Sequence, residues 1–228
     1  MACTQHIEIH MIQNQFTDEN IWQYCLDHTS KLSDSLQDLS DRTVGNIHGS
    51  QMISEKIITT LLQFFTFSQQ AKICVDVGTY TGMSAVAMAE AMPSAKVYTI
   101  DRAHQGGKLI AEDILPRYPN IIYVNGDAKD IIPTLPDNID IAFIDADKNL
   151  TQTYFDLVFD KLSDKGVIIV DDILWKGEVL NPQDRRAKVL DDFNKYVNSR
   201  DDVDNLILPI RHGVNIIKKR LSSQVVKE

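Results

Sequence analysis

The sequence predicts an α/β fold, a mainly parallel β-sheet covered by helices on both faces. Three observations carry that prediction. From Lys72 onward, short apolar runs of strand length alternate with segments of helical periodicity. Apolar strands separated by helices imply parallel strands buried between helical layers. Glycine and polar residues follow each of the first five candidate strands, and in such a sheet they gather on one rim.

The elements follow in order. Thr17-Asp18 can cap a helix carrying Ile21, Trp22, Cys25 and Leu26, and Leu32, Leu36 and Leu39 then recur at helical spacing. Val44 to Ser50, with two glycines, reads as a loop. A stronger helix places Ile53, Ile57, Ile58, Leu61, Leu62 and Phe65 on one apolar face. Strands are expected at Ile73–Val77, Lys96–Ile100, Ile121–Asn125, Ile139–Ile144 and Val167–Val170. Between them, helices are expected at Met83–Met92, Lys108–Tyr118, Lys129–Leu135 and Thr151–Leu162. A helix at about Asp184–Ser199 leads into Asn205–Ile210 and Val214–Lys219, which Arg211-His212-Gly213 joins as a closing hairpin. No repeat or linker interrupts the chain. Residues 1–228 read as a single domain, with residues 1–50 as a helical N-terminal extension and substrate-side loop.

Composition narrows the function. Hydrophobic residues make up 43% and charged residues 24% of 228 residues, the balance of a globular protein able to bury a core. A formal net charge of −9 repels a phosphate backbone, and Lys218, Lys219 and Arg220 read as a solvated strand end, so no nucleic-acid partner is expected. Cys3, Cys25 and Cys74 lie far apart and suggest neither a disulfide framework nor a thiolate metal site. Nothing resembles a signal peptide or a membrane span, so the expectation is a cytoplasmic enzyme with no membrane partner.

The rim residues carry the chemistry. Gly78-Thr79-Tyr80-Thr81-Gly82 follows the first strand and opens a helix, as a tight turn or as a loop where backbone approaches a ligand. Its spacing is not the G-x-G-x-x-G of a dinucleotide site. Asp101 ends the second strand, where a carboxylate accepts hydrogen bonds from both hydroxyls of a ribose or caps a helix. Asp145 and the pair Asp171-Asp172 end the fourth and fifth strands and approach one another if those strands are neighbours. Three carboxylates without His or Cys nearby make a hard oxygen site for Mg²⁺, Mn²⁺ or Ca²⁺, the alternative being turn and cap aspartates.

These residues also carry a resemblance. Val75-Asp76-Val77-Gly78-Thr79-Tyr80-Thr81-Gly82-Met83-Ser84 resembles the cofactor loop of class I methyltransferases. Phe143-Ile144-Asp145-Ala146-Asp147-Lys148 and Asp171-Asp172-Ile173-Leu174-Trp175 resemble the cation-dependent caffeoyl-CoA and catechol O-methyltransferase family, and the match runs from about Met52 to Lys219. The resemblance implies a Rossmann-like, doubly wound seven-stranded sheet with a reversed final strand, a homodimer, and S-adenosylmethionine as cofactor. Carried over by position, Met52, Ser54, Asp76, Gly78, Ser84, Asp101, Ala128, Asp145 and Asp147 surround that cofactor, with Asp101 on the ribose. Asp145, Asp171 and Asp172 bind the cation, Mg²⁺ first among the candidates. The family usually has Asn where this chain has Asp172. The segment from Arg102 to Gly107 matches poorly, so no adenine contact is carried over.

The implied reaction is displacement of the sulfonium methyl by a hydroxyl of a small aromatic acceptor, catechol-like or caffeoyl-like. Lys148 is the candidate general base, while Tyr154 and Trp175 flank the acceptor and His48 covers it. The rival readings are an NAD-dependent oxidoreductase, which the glycine spacing and acidic cluster disfavour, and a catalytically inactive methyltransferase-like binding protein.

Overall fold

Central strands buried on both faces build the fold from its middle outward. In the computed structural model, which describes residues 16–46, 56–102 and 105–220, seven strands form one sheet. They are β1 (Ile73–Val77), β2 (Lys96–Asp101), β3 (Ile121–Asn125), β4 (Ile139–Ile144), β5 (Leu162–Asp171), β6 (Val203–Leu208) and β7 (Val214–Lys219). Their order is β3-β2-β1-β4-β5-β7-β6. β1 pairs in parallel with both β2 and β4, so the winding reverses direction there, where an open α/β sheet leaves a crevice for ligands. β7 runs antiparallel to both β5 and β6, which makes it the reversed strand the sequence implied.

Alternate residues of each central strand face opposite layers. Cys74, Ile141, Phe143, Val167 and Ile169 join one buried cluster with residues of α2 (Asp34–Asn46), α3 (Lys56–Ser68), α4 (Met83–Ala91) and α5 (Gln105–Ile114). Val75, Val77, Ala142, Ile144, Ile168 and Val170 join the other. That second layer is completed by α6 (Ala128–Ile131), α7 (Thr151–Lys161) and α8 (Arg185–Ser199). There Phe155 stands edge-on to Phe193 at 5.6 Å, and both are fully buried.

Of the N-terminal helices, α2 packs on α4 and α5, and α3 packs on α4 and β4. α1 (Glu19–His28) starts where the Asp18 carboxylate accepts the N–H groups of Asn20 and Ile21, and it buries Trp22. α2 buries Leu36 and Leu39 and is tied down by Ser33 to Glu90 and by Arg42 to Asp113. Within the predicted loop from Val44 to Ser50, α2 continues to Asn46 and the remainder lies outside the described residues. Among the described residues, no helix is long and apolar enough to cross a membrane.

Several boundaries moved: β6 covers Val203–Leu208 in place of Asn205–Ile210, α5 ends at Ile114 before Pro116 in a 3₁₀ turn, and three more have local causes. β5 begins five residues before its apolar run, because polar Ser163–Lys165 sit outside the core while Leu162 pairs with Ile139 across an irregularity in the register. The third predicted inter-strand helix ends early at Ile131, where Pro133 enters a short 3₁₀ turn. α5 starts earlier than expected, at Gln105, although two glycines stand in its first turn. Gly107 is needed there, since a Cβ would meet the Tyr80 carbonyl oxygen at 2.4 Å.

The β6–β7 turn is clamped to the end of β5. Ile173 N–H donates to the Gly213 carbonyl at 3.1 Å and Leu174 N–H to the His212 carbonyl at 2.8 Å. Gly213 is left-handed at φ 93°, and a Cβ on it would lie 2.3 Å from Leu174 Cγ. Gly213→Ala therefore adds backbone strain to a steric clash and is expected to destabilise the fold by about 3 kcal/mol. A urea titration read by circular dichroism measures this, and an unshifted midpoint would show that the clamp yields freely.

Candidate active site at the carboxyl rim of the sheet

The glycine loop is braced from beneath by a buried hydroxyl network. Asp76 on β1 is fully buried, with Oδ1 accepting Ser84 Oγ–H at 2.8 Å and Oδ2 accepting Thr99 Oγ1–H at 2.6 Å. The Thr79 hydroxyl lies 2.6 Å from that of Thr99 and extends the chain into the loop. Burial pushes the Asp76 carboxyl up to about 7, against the downward pull of the Thr99 and Ser84 hydroxyls. Asp76 and Ser84, both expected around the cofactor, thus satisfy one another and hold the loop from inside.

The loop is also close-packed on the next strand. Gly78, at φ 112°, lies so near β4 that a Cβ would fall 2.2 Å from the Asp145 carbonyl oxygen. Gly82 ends the loop in the left-handed region and gives α4 no side-chain cap, leaving the first N–H groups of that helix toward the rim. Asp101 is half-buried at the tip of β2, and its Oδ2 accepts the Tyr80 N–H at 2.7 Å. Its other carboxylate oxygen accepts no hydrogen bond among the described residues. Ala128 is buried at the start of α6, under an N-cap formed by Asp127, whose carboxylate also pairs with Arg102 at 2.8 Å.

β4 and β5 are neighbours, and their parallel register brings the acidic residues together. Lys148 joins them, its ammonium 2.5 Å from Asp145 Oδ1 and 3.2 Å from Asp172 Oδ2. The Lys148 side chain is only 10% exposed, and Asp147 is engaged separately, capping the Lys148–Leu150 turn by accepting the Asn149 N–H. Burial acts to lower the Lys148 pKa, but the charges of Asp145, Asp172 and Asp171 outweigh it and hold the group well above the ordinary lysine range.

Asp171 is turned the other way. It is fully buried, with Oδ1 accepting the Asp172 N–H at 2.8 Å and Oδ2 paired at 3.2 Å with Arg211, itself 3% exposed. Asp172 adopts φ 64°. Burial opposes its charge, but Lys148 and Arg211 prevail and keep its carboxyl below the usual carboxylate range. Among the described residues, no three His, Cys, Asp or Glu side chains are arranged to hold a metal ion. The donor chemistry nevertheless suits a hard cation. Asp145 and Asp172 already share one positive group, and Asp172 Oδ1 is buried with no hydrogen-bond partner among the described residues.

The aromatic candidates differ. Tyr154 is 2% exposed and belongs to the core layer under α7. Trp175 is partly exposed in a turn where Asp172, Trp175, Lys176 and Gly177 all take positive φ, and the Arg186 guanidinium lies 5.8 Å from its ring centre. Met52, Ser54 and His48 lie outside the described residues. Sequence reasoning missed Thr79, Thr99 and Arg211. An arginine in a predicted turn gives no sign of burial, Thr79 reads as a loop residue, and Thr99 reads as a strand former.

Comparisons with known proteins bear on the family and the fold. A family model described as O-methyltransferase matches residues 26–220. The chain is 28% identical to a probable caffeoyl-CoA O-methyltransferase 3 of Dictyostelium discoideum, covering 95% of this chain and 97% of that one. It is 27% identical to the mouse catechol O-methyltransferase domain-containing protein 1, over 89% and 80% of the two chains. The SAH-bound methyltransferase PaMTH1 of Podospora anserina shares the fold at TM-score 0.82 and 21% identity, over 89% of this chain and 94% of that one.

The Asp76 network has a pH signature. Its folded carboxyl, at about 7, stands above the ordinary 3.8, so in that window the folded state keeps a proton the unfolded chain has released. This contribution to stability is full below about pH 4 and is lost as pH rises toward 7. Asp76→Asn removes it, so urea midpoints should depend less on pH between 4 and 7 than in the wild type. An unchanged slope assigns that dependence to another group.

Proposed function

Because the chain belongs to the O-methyltransferase family, we propose that it transfers a methyl group from S-adenosylmethionine to a hydroxyl of a small catechol-like or caffeoyl-like acceptor, with a divalent cation bound beside it. The observation that carries the reading is the family match over residues 26–220, joined to a rim that sets the glycine loop, Asp101 and Asp145 side by side. The same reading carries a homodimer acting in the cytoplasm.

S-adenosylmethionine, when bound, supplies its methyl as a sulfonium that an acceptor oxygen displaces in line, releasing S-adenosylhomocysteine. The chain's own residues bind and orient. Asp101 accepts the ribose hydroxyls through the oxygen not used by Tyr80. Gly78 and Ala128 bring backbone close, Asp145 and Asp147 line the rim, and Met52 and Ser54 complete the set. Asp76 and Ser84 act one layer below, by fixing the loop.

Asp145, Asp171 and Asp172 would hold the cation, Mg²⁺ before Mn²⁺ or Ca²⁺, through an all-oxygen ligand set. Such a cation, when bound, favours the ionised form of an acceptor hydroxyl. Lys148 is assigned the acceptor's proton. With its carboxylate partners free it is held as an ammonium, so it accepts a proton only while those carboxylates are engaged elsewhere. Trp175, Tyr154 and His48 are the proposed acceptor side, with Trp175 the most open of the described pair.

Calorimetry with S-adenosylmethionine and with NAD tests the cofactor. Binding of the first alone is expected, and Asp101→Ala should weaken it about tenfold or more by removing two charge-assisted hydrogen bonds. Binding of NAD alone would overturn the reading. Methyl transfer to a panel of catechols and caffeoyl thioesters should require Mg²⁺ and stop with a chelator, and Asp172→Ala should lower it at least tenfold. Turnover that is indifferent to chelator and to Asp172→Ala would remove the cation from the mechanism. Lys148→Ala should lower kcat about a hundredfold with little change in S-adenosylmethionine affinity. Full activity across pH in that variant would end its role as the base.

A further inference from the structure

Arg211 is the most buried cation on the rim, and no step above uses it. It sits in the β6–β7 turn at φ 54°, a left-handed conformation that costs an arginine about 1 kcal/mol or more. Its side chain is 4% exposed against a fully buried Asp171, at 3.2 Å. An arginine is held in such a place only if the surroundings gain from its charge.

The grouping shows the gain. Asp145, Asp171 and Asp172 place three carboxyl groups in one corner, and Lys148 and Arg211 set cations against them. The arginine engages one oxygen of Asp171 while the Asp172 N–H engages the other. It therefore occupies the carboxylate that a third cation ligand must supply. Asp172, in turn, adds a carboxylate beside it, 3.2 Å from the Lys148 ammonium.

We propose that Arg211 is an internal counter-cation of the carboxylate site, which keeps Asp171 engaged and sets how tightly the site takes a divalent ion. The inference rests on the cation reading given above. A divalent ion entering this corner meets a fixed positive charge and must share or displace a ligand already bonded. The site should accordingly bind such an ion weakly and release it readily, compared with the same three carboxylates left without the arginine.

The test measures Mn²⁺ binding directly, by calorimetry and by the electron paramagnetic resonance signal of free Mn²⁺, on the full chain. Arg211→Met is expected to bind Mn²⁺ at least tenfold more tightly than the wild type. Mn²⁺ should also raise its Tm by more, since the metal then supplies the missing charge. Should Arg211→Met fail to fold, Arg211→Gln keeps an N–H donor for Asp171 while removing the charge, and the same gain is expected. Arg211→Lys, which keeps the charge, should stay within about threefold of the wild type. Equal or weaker Mn²⁺ binding in a folded, charge-removed variant overturns the role of Arg211 and leaves the cation reading standing. Absence of Mn²⁺ binding in both wild type and variant overturns the cation reading, and the inference with it.

Discussion

Three carboxylates brought to one largely buried corner repel one another, and the rim of this sheet is arranged around neutralising them. Parallel pairing of β4 with β5 creates the problem, because it sets the residues after Ile144 beside those after Val170. Two cations from distant parts of the chain answer it. Lys148 comes from the turn directly after β4, while Arg211 comes from the hairpin that closes the sheet. The closing strands β6 and β7 are thus part of the site's electrostatics as well as its scaffold. Two backbone hydrogen bonds from Ile173 and Leu174 fix that hairpin against the end of β5 and deliver the guanidinium to Asp171.

The glycine loop is coupled to the same corner through backbone. Asp145 N–H donates to the Val77 carbonyl at 2.9 Å, and Gly78 packs on the Asp145 carbonyl oxygen. A change in the loop therefore moves the first carboxylate of the cluster. Beneath, the Asp76–Thr99–Thr79 chain links β1, β2 and the loop tip, and the Asp101 carboxylate holds Tyr80 from the side. Cofactor and acceptor halves of a methyl-transfer site must keep two reacting atoms in line, and a shared rigid backbone between them serves that need.

Much of the fold was legible because strand burial is written as apolar runs. Each of the seven strands overlaps its predicted run, and boundaries moved where polar residues extend a strand, as at Ser163–Lys165, where glycines open a helix, as at Gly107, or where proline ends one, as at Pro133. The candidate site was legible at its rim, since Asp145, Asp171, Asp172 and Lys148 converge. What the sequence hid was direction. Nothing in the order of residues says that Asp171 faces Arg211 while Asp172 faces Lys148, or that Asp76 spends both oxygens on hydroxyls inside the core. Those facts depend on side-chain orientation across strands far apart in sequence, which periodicity does not encode.

The left-handed residues fit the same account. Asp172, Trp175, Lys176 and Gly177 on one side of the clamp, and Arg211 and Gly213 on the other, all take positive φ. For the non-glycine members each such conformation is unfavourable by about 1–2 kcal/mol. Asp tolerates it best, because its short polar side chain bonds locally. The Arg211 guanidinium, at the far end of a long side chain, pairs with Asp171. Charge and backbone strain are therefore coupled at one place. The ion pair that neutralises the corner also holds the turn in its strained form, and that turn holds the loop bearing Asp172 and Trp175. A chain that lost only the ion pair would lose part of the reason for the geometry of the whole rim.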